Sequence, residues 1–263
     1  MKAGISTATL FRRLYNEDAL ALFQEWGVET AEVFLTSFCE YEPSFARTLL
    51  DRKGDLNVSS FHVLNTQFEP QLYTDHPRTK ADAYMWLEKA LSSAQILGAK
   101  RYTFHGIARI KRTFKEDIPR VAEITEEIAQ CCKKFGVSLC YENVEWAFFN
   151  RPEIFRELKA RCPSLMGVLD IKQARISGYD YRDYLSEMGG AISHVHVSDI
   201  DETGKMCLPG RGTFDFDELL KRLQGVGFQG AVLIENYAGD YSDLGQLKAS
   251  YEFLAEKPEK YSK

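Results

Sequence analysis

"VHVSDI", residues 195–200, sets a histidine and an aspartate at the end of an apolar run that reads as a buried strand. Burying ionisable groups is costly unless something compensates them, so the placement needs a reason. The pattern recurs along the chain. "SFHV" carries His62, "YTFHG" His105, "LCYEN" Glu142, "MGVLD" Asp170 and "VLIEN" Glu235. Each apolar run finishes in a side chain that can ligate a metal or move a proton.

Working outward, each run is separated from the next by a helical pattern. Strands read at 3–7, 31–35, 57–63, 100–106, 137–143, 165–170, 192–199 and 230–236. Helices read at 16–27, 43–54, 77–98, 117–136, 151–162, 179–189, 215–227 and near 242–256. Val121, Ile124, Ile128, Cys131 and Phe135 make an apolar stripe at helical spacing, closed by Gly136. Strict alternation implies parallel strands joined by crossover helices. Eight such units in this length fit an α/β fold of one domain over 1–263, the closed (β/α)8 TIM barrel. The competing fold is a doubly wound open sheet. Its dinucleotide-binding form has little support, because no GxGxxG follows the first strand.

Composition narrows the function classes. With 33 basic and 38 acidic residues the net charge is -5, which argues against a nucleic-acid partner. The six cysteines form no CxxC pair and suit a reduced, cytoplasmic chain. The start, "MKAGISTATLF", lacks the apolar region of a signal peptide, and no run of eighteen apolar residues suggests a membrane span.

Strand side chains alternate between faces. Counting back from each polar end, Glu142 shares a face with Cys140, Asp170 with Val168, His196 with His194, and Glu235 with Leu233. His62 and His105 fall on the same inward face of their strands. All six then point into the C-terminal mouth, where barrel active sites lie. Three carboxylates and an imidazole there would raise one another's pKa unless a divalent cation joined them. Glu142, Asp170, His196 and Glu235 offer oxygen donors and one nitrogen, a set that suits Mn²⁺, Mg²⁺, Co²⁺ or Zn²⁺. Any one acid at a strand end also reads as a cap or surface group; the coincidence on four successive strands is the specific signal. His194 reads as a satisfied interior histidine and His76 as a loop residue.

These motifs, together with "LPGRGTFD" at 208–215, resemble the xylose isomerase-like barrel superfamily, in particular its sugar phosphate isomerase/epimerase branch. The resemblance runs the length of the chain. It implies one metal ion held by Glu142, Asp170, His196 and Glu235. It also implies that Glu142 and Glu235 act as an acid/base pair on opposite faces of a sugar or polyol carbon beside a carbonyl. His62 and His105 would contact substrate hydroxyls. Many relatives carry histidine where this chain has Gln173, which can donate a hydrogen bond but cannot carry a proton. The adjacent Lys172 is expected to face the surface. Trp146, Phe148 and Phe149 read either as an apolar wall for substrate or as loop packing. Arg211 reads as a ligand for a substrate anion or as a partner of Asp215 or Asp217. Glu32 reads as a mouth residue or a loop tie, and Asp199 as support for a ligand or for the "PGRG" loop.

The superfamily also contains abasic-site endonucleases with three zinc ions. Gln173, and "GKMCLPG" with neither aspartate nor histidine, remove ligands that such a site needs. The expectation is therefore a cytoplasmic metal-dependent sugar or sugar-phosphate isomerase or epimerase, open to homo-oligomerisation. A dehydratase of a cyclic polyol ketone and a non-catalytic sugar-binding barrel are the alternatives.

Overall fold

Apolar strands and amphipathic helices alternate as the periodicity predicts in the computed structural model, which describes residues 1–109 and 116–257. The strands are β1 (Lys2–Ser6), β2 (Thr30–Leu35), β3 (Asn57–Val63), β4 (Arg101–Phe104), β5 (Ser138–Glu142), β6 (Met166–Asp170), β7 (Ile192–Val197), a short pair β8 (Asp199–Ile200) and β9 (Met206–Cys207), and β10 (Ala231–Ile234). The helices are α1 (Asn16–Glu25), α2 (Pro43–Lys53), α3 (Pro77–Leu97), α4 (Ile118–Lys134), α5 (Pro152–Lys159), α6 (Ile171–Ile176), α7 (Tyr181–Met188), α8 (Phe216–Gly225) and α9 (Leu244–Ala255).

All strands but β8 and β9 close into one parallel barrel, in the order β1-β10-β7-β6-β5-β4-β3-β2. The helices cover it. The helical stripe of the sequence is the buried face of α4, where Val121, Ile124, Ile128 and Cys131 lie against the sheet. Outward strand residues meet that layer: Tyr141 packs on Phe104 and Phe149, and Phe104 on Tyr73. Leu139 and Tyr141 take the face of β5 opposite Cys140 and Glu142, as alternation requires. Each such aromatic side chain buries enough surface that truncation to alanine costs about 3–5 kcal/mol.

Register positions the site. β6 pairs with β7 so that Asp170 lies beside His196, and β5 pairs with β6 so that Glu142 lies beside Val168. Two features depart from the expected pattern. The segment 171–176 is a helix, because the Asp170 side chain accepts the Gln173 backbone N–H and caps α6. The seventh strand stops at Val197 instead of 199, and Asp199 opens the antiparallel pair β8-β9. Asp199 accepts backbone N–H groups from Ile200, Gly210, Gly212 and Phe214, which draws the chain out of the barrel and ties down the "PGRG" loop. Gly212 is required there, since a Cβ would fall 2.2 Å from the Ile200 carbonyl oxygen.

Candidate active site

Strand ends converge on a cavity of about 270 Å³ at the C-terminal mouth. His62, His105, Glu142, Trp146, Lys172, Gln173, Glu235 and Tyr237 are among its lining residues. Asp170 and His196 are buried beside that lining. Ligand atoms of Glu142, Asp170, His196 and Glu235 all lie within 4.8 Å of one another. Parity therefore brings together the four residues singled out from the sequence.

His196 is the hub. Its Nδ1 is 2.8 Å from Glu142 Oε1 and 3.4 Å from Glu235 Oε2. Its Nε2 is 2.9 Å from Glu32 Oε1. Both ring nitrogens thus face carboxylates; with a cation among the acids, a proton on Nε2 against Glu32 would leave Nδ1 as the ligating atom of an imidazole backed by a carboxylate. Asp170 spends Oδ1 on the Gln173 N–H at 2.7 Å, and its main chain is fixed by Asn143. The Asn143 side chain accepts from Asp170 N and donates to Asp170 O, both at 2.8 Å.

The acids and imidazoles shift one another's titration strongly. Burial pulls the His196 pKa down, but Glu235, Glu32 and Glu142 together raise it well above the usual imidazole value. Burial pushes Glu142 up, yet the charges and hydrogen bonds of His196 and His105 hold it well below the usual carboxylate range. Burial and the neighbouring Glu142 and Glu235 lift Asp170 to about 6, against the pull of Lys172 and His196. His105 reaches about 9: burial opposes its protonation, and Glu142, 2.8 Å from Nε2, outweighs burial. Glu142 Oε2 faces His105 Nε2 at 2.8 Å, and Glu235 Oε2 is buried without a hydrogen bond among the described residues.

A second layer lies beneath. Glu32, fully buried, accepts from Ser6 and Thr103 and is 3.2 Å from His194 Nε2. A register shift between Ala31 and Glu32 accompanies its inward position, as bulges re-aim side chains. His194 also contacts Thr103 Oγ1 at 2.8 Å and Ser193 Oγ at 3.1 Å, so it is the satisfied interior histidine that its position implies.

Residues beyond the strand-end pattern hold the histidines. Glu69, fully buried, accepts the His105 and Gly106 N–H groups and the Tyr102 hydroxyl. Gly106 has φ 67°, and a Cβ there would strike the Tyr141 hydroxyl at 2.0 Å. The rings of His62 and His105 lie 4.7 Å apart, and with Glu142 they form a further group able to hold a metal. The loop after β5 divides between its two readings. Trp146 faces the cavity beside His105, whereas Phe149 packs on Phe155 and Tyr184.

One expectation changes. Lys172 is buried, not surface-facing: Nζ is 3.8 Å from Asp170 Oδ2 and 4.4 Å from the Tyr237 ring centroid. Burial lowers its pKa, but Asp170 and Glu235 raise it further, so it is charged. Strand parity fails for it because the chain has already turned into α6. Arg211 is exposed and is not among the residues lining this cavity.

The fold and site are those of a closed parallel barrel with a Glu-Asp-His-Glu group, three of its members buried, at the mouth. The chain belongs to the xylose isomerase-like TIM barrel family, whose sequence pattern matches residues 20–257. An uncharacterized protein of Mycobacterium tuberculosis is 24% identical over 260 aligned positions, covering 89% of this chain and 88% of its own length. Among solved structures, D-psicose 3-epimerase from Clostridium cellulolyticum, crystallised with D-tagatose, superposes with a TM-score of 0.79 at 16% identity over 97% of each chain. The 3-keto-D-glucoside 4-epimerase of E. coli superposes at 0.74 with 15% identity, covering 98% of this chain and 99% of that one. A protein with a bound zinc atom superposes at 0.71 with 16% identity over 99% and 96%.

Proposed function

We propose that the protein is a metal-dependent isomerase or epimerase of a small sugar or sugar phosphate, with Glu142 and Glu235 as its acid/base pair. The observation that carries this reading is the pair of glutamates at one cavity, Glu142 Oε1 at 2.8 Å and Glu235 Oε2 at 3.4 Å from the same nitrogen, His196 Nδ1. The similarity to solved sugar epimerases supports the substrate class.

The donor set fits a divalent cation. Three carboxylates and the Nδ1 lone pair lie within one coordination sphere's reach, and Glu32 backs the imidazole. Such an ion, when bound, supplies Lewis-acid stabilisation of negative charge on a carbonyl oxygen. The remaining work falls to the chain. One glutamate takes the proton from the carbon beside the carbonyl, and the other returns a proton from the opposite face. His62, His105 and Gln173 bond substrate hydroxyls, and Trp146 covers the apolar side of the substrate. The Gln173 amide oxygen accepts the Glu145 N–H at 3.2 Å, which turns its NH₂ end free for an oxygen of the substrate.

Ketoses, their phosphates and cyclic polyol ketones, incubated in D₂O with added Mn²⁺ and followed by NMR, test the reading. Deuterium should enter at the carbon beside the carbonyl with the product otherwise equal in mass. Loss of water to form an absorbing enone would move the assignment to a dehydratase. Thermal stabilisation by a sugar without exchange would make the barrel a binding protein.

A further inference from the structure

Lys172 is the one buried ammonium among the residues that line the cavity. It occupies the first turn of α6, two residues past Asp170, and its Nζ reaches the space between Asp170, Glu235 and Tyr237. An ammonium has three N–H donors. Among the described residues its hydrogen bond runs to the Glu235 carbonyl oxygen at 3.4 Å, a long contact. Asp170 Oδ2, at 3.8 Å, is beyond hydrogen-bond distance. A desolvated ammonium with donors to spare calls for a further acceptor, and the cavity is where one can enter.

Charge points the same way. Three carboxylates with a neutral His196 and a dication leave one negative charge over, and the ammonium cancels it. Gln173 cannot fill that role, because it is neutral and its oxygen is engaged by the Glu145 N–H. We propose that the Lys172 ammonium is a substrate ligand, donating a hydrogen bond to the oxygen that gains negative charge when the neighbouring carbon loses its proton. The carbon's proton goes to a glutamate, and Nζ keeps its own throughout. The inference rests on reading the site as one that removes a proton beside a carbonyl. It makes Lys172 a catalytic residue in the place where a neutral amide stands next in sequence.

Oxalate, a planar dianion with paired oxygens like those of an ionised hydroxyketone, serves as the probe. Its affinity for the Mn²⁺-loaded protein is measured by calorimetry for the wild type, Lys172→Met and Lys172→Arg. Loss of a charge-assisted hydrogen bond should weaken oxalate binding by about tenfold or more in Lys172→Met, with most of it kept in Lys172→Arg. Mn²⁺ affinity, measured without oxalate, should be unchanged or tighter in Lys172→Met, since a positive neighbour of the cation has gone. Equal oxalate affinity in Lys172→Met, or no oxalate binding to the wild type, overturns the proposal. So does weaker Mn²⁺ binding in Lys172→Met, which would make the lysine a support for Asp170. If the oxalate result holds while no ketose exchanges hydrogen with the wild type, the proposed function fails and takes the catalytic role of Lys172 with it, leaving the lysine a ligand for a planar anion; exchange with equal oxalate affinity in Lys172→Met overturns the Lys172 role alone.

Discussion

His194 and His196 sit two residues apart on one strand, on the same inward face, and do different things. At the floor, His194 is enclosed by Thr103, Ser193 and Glu32, and burial lowers its pKa, leaving it neutral. At the mouth, His196 faces Glu142, Glu235 and Glu32, and their charges override burial. The floor is a satisfied hydrogen-bond network. The mouth gathers three acids around one imidazole, and Glu235 Oε2 there is buried without a hydrogen bond among the described residues. The difference teaches that a buried ionisable cluster reads as a site when its charges exceed its partners, not merely when it is polar.

The contrast sets an order of expected effects. Glu142→Gln or Glu235→Gln, at the mouth, should slow solvent-deuterium exchange into substrate by roughly 10²–10⁴-fold, the range for removing a general acid or base. Full exchange in both variants ends the acid/base assignment. Glu32→Ala, at the floor, leaves His194 and His196 without their carboxylate, and should cost about 3–5 kcal/mol of folding stability. Denaturant titration reads that loss; a value near zero would mean that the floor is not the support described here.

Protonation distinguishes the layers again. In metal-stripped protein, His105 has its pKa raised from 6.5 to about 9, so its stabilising contribution is full below the lower value and is lost as pH rises through about 9. Asp170, raised from 3.8 to about 6, acts in the same direction at lower pH. Thermal midpoints of the stripped protein should therefore fall between pH 6.5 and 9, and added Mn²⁺ should reverse the fall. A midpoint that rises over that window contradicts the charge balance at the mouth. The smallest effect belongs to His194→Gln, which should cost about 1–3 kcal/mol and leave exchange within a few-fold of wild type.

Much of this was legible from strand ends. Glu142, Asp170, His196 and Glu235 follow from parity, because within a strand each side chain's face is determined by its neighbours. Parity has no purchase once the backbone leaves the strand. Lys172 follows Asp170 into α6, where each residue turns by about 100° rather than 180°, so it is carried over the cavity. Glu32 follows a register shift, which no alternation reveals. Glu69 and Asn143 act through backbone N–H groups brought close only by closure of the barrel. Asn143, directly after Glu142, is the exception with a local signal: "YEN" and "IEN" both place an asparagine after the glutamate, and Asn236 bonds the Cys207 carbonyl across a loop in the same manner.

Titration of Mn²⁺ into the metal-stripped protein, with the bound ion counted per chain, tests the central claim most directly. One ion per chain is predicted, with affinity at least about tenfold weaker in Asp170→Asn and a stoichiometry that His62→Asn leaves at one. Two ions per chain, or a Asp170→Asn variant that binds as tightly as the wild type, would contradict a single cation held by Glu142, Asp170, His196 and Glu235.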